Sequence, residues 1–255
     1  MEVDVVVLED ALELAREAAQ RFTRQAGDAV RSRGRFSVAL SGGSTPGILY
    51  QLLAEEPYRK QIPWADVHLF WGDERCVPPD DADSNYKQAE TALISRVPVP
   101  PDNIHRIQGE LEPLAAARFY DRALQDYFCG PQTRFDLVLL GLGTDGHTAS
   151  LFPGSPALER TERLAEAVVA VYDDRPAQRV TLTLSAITSA REVLFLISGG
   201  AKAGIVHAVL EGSDPHLPAR RVRPTAGRLT WLLDKAAAGG LVAGGTSGAT
   251  TSGLP

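Results

Sequence analysis

Short, uninterrupted apolar runs alternate along this chain with longer segments of helical period, and that alternation limits the fold more than any other feature. The runs lie at 36–40, 67–71, 136–140, 168–171, 180–184, 193–197 and 229–233. They are too short for buried helices and rich in Val, Leu and Phe, so each reads as a strand. Between them, Asp10 is placed to cap a helix from Ala11 to near Gly34, in which Leu12, Ala15, Ala19, Phe22, Ala26 and Val30 recur at helical spacing. A second helix begins near Pro46, where the missing N–H of proline is not needed. Others cover about 85–95, 113–128 and 201–210 by the same periodicity. Strands without polar alternation are buried on both faces, as in parallel sheets covered by helices. The expectation is one α/β domain, residues 1–238, built on a single doubly wound, mostly parallel, Rossmann-like sheet with helices on both faces. Residues 239–255, mostly Gly, Ser, Thr and Ala, are expected to form a disordered tail.

Charge and cysteine content narrow the function classes. A formal net charge of −6 argues against a nucleic-acid partner, which would need a basic face. An anionic small substrate then requires positive charge concentrated in a pocket. No apolar run approaches the roughly 18 residues of a membrane span, and the N-terminus lacks the basic start of a secretory signal. Cys76 and Cys129 form no C-x-x-C pair, so neither a metal nor a redox motif is supported. A cytoplasmic protein, monomer or homodimer, without metal or cofactor is expected.

In a doubly wound sheet, ligands bind beyond the carboxyl ends of the strands. Four segments occupy such positions. Ser41-Gly42-Gly43-Ser44-Thr45-Pro46 joins a strand to a helix; its glycines admit an anion to the backbone N–H groups, the helix start favours negative charge and Ser44 and Thr45 add hydroxyl donors, which favours phosphate or carboxylate binding over the alternative of a plain tight turn with an N-cap. Asp73-Glu74-Arg75 follows an apolar strand directly. Arg75 has the fork geometry for phosphate, or else pairs with Glu74 structurally. Gly141, Gly143 and Gly146 match a dinucleotide-binding spacing, but Pro153 leaves too little helix for that use, so Asp145 and His147 read as polar groups at a strand end. His147 has the setting of a base that takes a proton from water near neutral pH. His68 and His105 lie in strand-like stretches and read as structural. Ser198-Gly199-Gly200-Ala201-Lys202 repeats the strand, glycine turn and helix start; Lys202 and, less directly, Arg179 are further anion ligands or solvated cations. No G-x-S-x-G elbow, P-loop or H-E-x-x-H is present.

Taken together and in this order, the segments resemble the 6-phosphogluconolactonase family. The matching pieces are SGGSTP at 41–46, WGDERCVPPDDADSNY at 71–86, FDLVLLGLGTDGHTASLFPGS at 135–155, RVTLTL at 179–184, the glycine turn with Lys202, and TWLLD at 230–234. The third is the most specific, and the resemblance spans nearly everything but the tail. Glucosamine-6-phosphate deaminases share several of these features. They carry a glutamate where this chain has Phe152, which cannot exchange protons, and usually Asp-Glu-Tyr in place of Asp73-Glu74-Arg75. A non-catalytic sugar-phosphate sensor of the same fold would retain less of the Asp145–His147 pair. The resemblance implies hydrolysis of 6-phosphogluconolactone. The phosphate would be held by Ser41, Gly42, Gly43, Ser44 and Thr45 with Arg75, Arg179 and Lys202. His147 would act as general base, with Asp145 or Asp73 orienting it or binding sugar hydroxyls.

Overall fold

Six parallel strands form the central sheet of the computed structural model, which describes residues 3–129, 134–172 and 175–241. In chain order the main elements are β1 (Val3–Leu8), α1 (Ala11–Arg33), β2 (Phe36–Leu40), α2 (Ser44–Leu53), α3 (Tyr58–Gln61), β3 (Val67–Trp71), β4 (Asp73–Arg75), α4 (Asn85–Ala92), α5 (Pro113–Phe128), β5 (Leu137–Leu140), β6 (Ala165–Val169), β7 (Gln178–Leu182), α6 (Leu184–Thr188), β8 (Glu192–Ile197), α7 (Ala203–Leu210), α8 (Pro218–Arg221) and β9 (Arg228–Asp234). The central sheet runs β1-β9-β8-β5-β2-β3. Every residue of β2, β5 and β8 is buried. Successive strand residues point to opposite faces, so both faces of the sheet are covered, as a doubly wound arrangement requires.

α1 shows how the sequence sets the layer. Asp10 accepts from the N–H groups of Leu12 and Glu13, and Gly34 closes the helix at φ 73°. Leu14, Ala15, Ala18, Ala19, Phe22, Ala26 and Ala29 are buried, with Phe22 edge-on to Phe36 of β2 at 5.2 Å. Burying a side chain the size of Phe22 contributes about 1.5–3 kcal/mol, against about 1 kcal/mol for a cap. Packing therefore holds the helix and the caps define its ends. Leu12, counted on the apolar face from spacing, is 43% exposed and lies off it.

The structure departs from the sequence reading at several points. β1, passed over in that reading, is a half-buried edge strand paired with β9 from Val3↔Leu229 to Leu8↔Asp234. The strands expected at 168–171 and 180–184 do not join the central sheet. They correspond to β6 and β7, which pair antiparallel and, with β4, make a separate sheet of order β4-β7-β6. A connection as short as that between β6 and β7 returns the chain antiparallel and is too short for a parallel crossover. Gly72 links the sheets, its N–H donating to Leu40 O (2.8 Å) and its carbonyl accepting from Leu182 N (2.8 Å). Gly239 to Leu241, the start of the expected tail, continue in turns with Leu241 against the core. Residues 242–255 lie outside the described residues.

Candidate active site

From β2 the chain passes to β3 on one side, and β5 then takes the other side of β2. The crevice beyond the carboxyl ends of β2 and β5 is thus the topological switch point of the sheet. It opens into a cleft of about 260 Å³, the size for a small polar molecule. Ser41, Gly42, Gly43, Ser44 and Thr45 line it, and so do Asp73, Arg75, His147, Arg179 and Lys202. Asp145, the remaining residue singled out from sequence, sits behind His147 and reaches the cleft only through it.

Several contacts hold the 41–45 turn. The Tyr50 hydroxyl accepts from Ser41 N (3.0 Å) and donates to Ser41 O (2.6 Å). Gly43, at φ 110°, donates its N–H to Gln88 Oε1 (3.0 Å) and accepts from Gln88 Nε2 (2.6 Å). The N–H groups of Ser41 and Gly43 are therefore committed. Ser44 and Thr45 open α2, where first-turn N–H groups have no acceptor within the helix. Thr45 Oγ1 lies 2.8 Å from Ser198 Oγ, joining this turn to the one after β8. That second turn is fixed by Asp234, whose carboxylate accepts from Gly199 N at 2.9 and 3.1 Å and from Ala237 N at 2.7 Å. Lys202 follows on it and makes no ion pair among the described residues.

His147 is held by its own turn. Its Nδ1 lies 2.6 Å from Asp145 Oδ1, which also accepts from the His147 backbone N–H (3.1 Å). An ionised carboxylate only accepts, so Nδ1 carries the proton and Nε2 keeps its lone pair. Burial pulls the imidazole below its ordinary pKa; Asp145 and Asp73 oppose that, and Arg179 adds to it. The ring is consequently neutral near pH 7. Phe152 stacks on it at 4.1 Å and 23°, and Tyr172 stands edge-on at 4.5 Å and 77°. The turn beneath needs Gly143: a Cβ there would fall 2.0 Å from His147 Nδ1. Ala149, beside it in the cleft lining, holds φ 48° within a tight Thr148–Leu151 turn.

Opposite lies the cationic wall. The β4–β7 register sets Arg75 directly across from Arg179 and Asp73 across from Thr181. Like charges placed opposite each other destabilise a sheet. Arg75 donates through Nη1 to Asp83 O (2.5 Å) and Arg179 through Nε to Pro176 O (3.1 Å). Arg75 Nε and Arg179 Nη2, both buried, have no hydrogen-bond partner among the described residues. Burial, with the Arg75 and Arg175 guanidiniums, draws the Arg179 pKa below its usual value despite Asp73 and Asp83. Asp73 is held by Ser150 Oγ (2.6 Å) and Asn85 Nδ2 (3.2 Å).

The Glu74–Arg75 ion pair considered from sequence is not formed. Glu74 instead accepts from the N–H groups of Arg75 (2.8 Å), Asn85 (2.7 Å) and Tyr86 (2.8 Å) and from Ser84 Oγ (3.0 Å), tying β4 to the start of α4. Burial raises its pKa. Tyr172 and Arg175 also line the cleft and were not singled out from sequence. They lie in a loop without period, and the only hint was a cluster of charge just before the β7 run. His68 and His105 lie away from the cleft, with Nδ1 of one 3.2 Å from Nε2 of the other, packed on Tyr127 and Phe70. Among the described residues no three His, Cys, Asp or Glu side chains are grouped to hold a metal, and no helix is long and apolar enough to cross a membrane.

Comparison with known proteins adds a family to this geometry. The family described as glucosamine-6-phosphate isomerases/6-phosphogluconolactonase matches residues 9–231. A 6-phosphogluconolactonase of Nostoc sp. is 40% identical over 243 residues, covering 93% of this chain and 98% of that one. The 6-phosphogluconolactonase of Mycobacterium tuberculosis is 40% identical over 250 residues, with shares of 93% and 98%. Among solved structures, 6-phosphogluconolactonase from Trypanosoma cruzi superposes with a TM-score of 0.85 at 30% identity, covering 94% of this chain and 97% of that one.

Proposed function

The chain belongs to the family of glucosamine-6-phosphate isomerases and 6-phosphogluconolactonases, and from that membership together with the cleft we infer that it hydrolyses 6-phosphogluconolactone to 6-phosphogluconate, a step of the pentose phosphate pathway. One observation carries the reading at the level of residues. Two opposed arginines, each with a buried N–H group unmet among the described residues, share a cleft with a neutral, carboxylate-oriented imidazole. An anion satisfies the first and a water the second.

In this reading the phosphate lies against the first-turn N–H groups of Ser44 and Thr45, with Arg75, Arg179 and Lys202 around it. Anchoring that end places the lactone carbonyl beside His147. Nε2 takes a proton from water as the water oxygen bonds to the carbonyl carbon. The oxyanion formed needs hydrogen-bond donors, for which backbone N–H groups of the glycine turns or a nearby cation are the candidates. When the tetrahedral centre collapses, the bond from carbon to ring oxygen breaks and the imidazolium returns its proton to that oxygen. Asp145 keeps the tautomer throughout. Asp73, fixed by Ser150 and Asn85, is a partner for sugar hydroxyls and not for the imidazole. Phe152, stacked on His147, offers no acid for the proton transfers of deamination. A cytoplasmic setting fits the free thiols Cys76 and Cys129.

The test is to supply fresh 6-phosphogluconolactone and glucosamine 6-phosphate separately and follow acid and ammonia. Acid from the first and no ammonia from the second is the expected result; ammonia release overturns it.

A further inference from the structure

We propose that Tyr172 is a positioning residue for His147, its ring standing against the edge of the imidazole beside Phe152 and its hydroxyl fastening it to the turn that carries His147. The inference rests on His147 being the base. A single contact between Nδ1 and Asp145 fixes one atom of the imidazole but leaves the ring plane free to swing about that contact. Two neighbouring rings, 6.0 Å apart, restrict this freedom from one face and one edge. Phe152 comes from the same stretch of chain and covers one face. Tyr172 comes from the other sheet, beyond the end of β6, and meets the ring nearly perpendicular. Its hydroxyl lies 3.2 Å from Thr144 Oγ1 and 3.4 Å from Thr144 N. Thr144 belongs to the Gly143–His147 turn, so one side chain grips both the ring and the backbone that carries it. Tyr172 lines the cleft and is half-buried.

Tyr172 also removes water from around the imidazole, and burial is the largest influence on the proton affinity of His147. The charged groups that face His147 are Asp145 from its own turn, Asp73 from β4 and Arg179 from β7. None of them changes when Tyr172 is replaced, so a shift in titration would report the lost ring.

Tyr172→Ala is expected to lower kcat about tenfold to a hundredfold, as small misplacements of a reacting group do, with KM little changed. The acid limb of the pH–rate profile should move up toward the ordinary imidazole value, and the imidazole proton resonance that is missing from His147→Ala should titrate at higher pH. Tyr172→Phe keeps the ring and loses the Thr144 contact; it should lose less kcat and leave the limb nearly in place, which separates positioning from misfolding. Wild-type kcat with an unmoved limb in Tyr172→Ala would overturn the proposal, as would a raised KM at constant kcat, which marks a substrate contact. If His147→Ala abolishes turnover while Tyr172→Ala does nothing, only this inference fails. If His147→Ala turns over normally, the base assignment fails instead.

Discussion

The two ends of the central sheet treat charge in opposite ways. At the amino ends of the strands the buried carboxylates meet cations, although Arg191 Nε makes no hydrogen bond among the described residues. Asp136, just before β5, accepts from Ser37 N (2.8 Å) and Ser37 Oγ (3.0 Å), and pairs with Arg33 (2.9 Å) and Arg191 (3.3 Å). Glu192, opening β8, pairs with Arg228 at 2.8 Å. At the carboxyl ends, Arg75 faces Arg179, a guanidinium N–H group of each is unmet among the described residues and Ala149 holds a positive φ. Buried polar groups are normally satisfied, and exceptions concentrate where a ligand completes them. At one end carboxylates and cations are brought together; at the other, cations are set against each other.

The sharpest way to break this contrast is at the base. His147→Ala should lower kcat by about 10²–10⁴, the usual share of a general base, while affinity for the product phosphate stays close to wild type; steady-state and product-inhibition kinetics check both. Next comes the cationic wall. Arg179→Met should raise KM by about tenfold or more, the worth of a charged hydrogen bond. It should not lower the thermal midpoint, because a like-charge opposition disappears with it. A fall in stability equal to that of a core mutation would show that Arg179 is structural. The smallest effect belongs to the far side of the molecule. Burial, then the neighbouring His68, lowers the His105 pKa to about 4. The unfolded chain, near 6.5, binds the extra proton first, so stability should fall as pH drops from about 6.5 toward 4. Thermal melts across that range should show the slope, and His105→Phe should flatten it without touching kcat.

How far the sequence shows these things depends on the range of the interaction. His147 was legible because Asp145-Gly146-His147 follows a continuous apolar run and a glycine turn, all local signals. The 41–45 turn and Lys202 were legible for the same reason. The opposition of Arg75 and Arg179 was not. It depends on the register of two strands about a hundred residues apart, and β4 is three residues of mostly charged sequence with no apolar pattern. The same lack of pattern hid Glu74, whose role depends on where Asn85 and Tyr86 return. β1 carries Val5-Val6-Val7 and was within reach of a period argument. The strands at 168–171 and 180–184 were rightly seen as extended and wrongly joined to the main sheet, since apolar content reports burial and not partner.

Glu74 has a consequence for how such a chain tolerates changes in length. Its carboxylate gathers Arg75 on one side and Ser84, Asn85 and Tyr86 on the other, so the stretch between is a loop tied off at its neck. Closing a longer loop costs only about 0.6 kcal/mol per doubling. Insertions or deletions near Pro79 and Asp80 can therefore accumulate without displacing the arginine on one margin or the helix on the other, and the neck, not the loop, is what any transplant of this cleft must carry along.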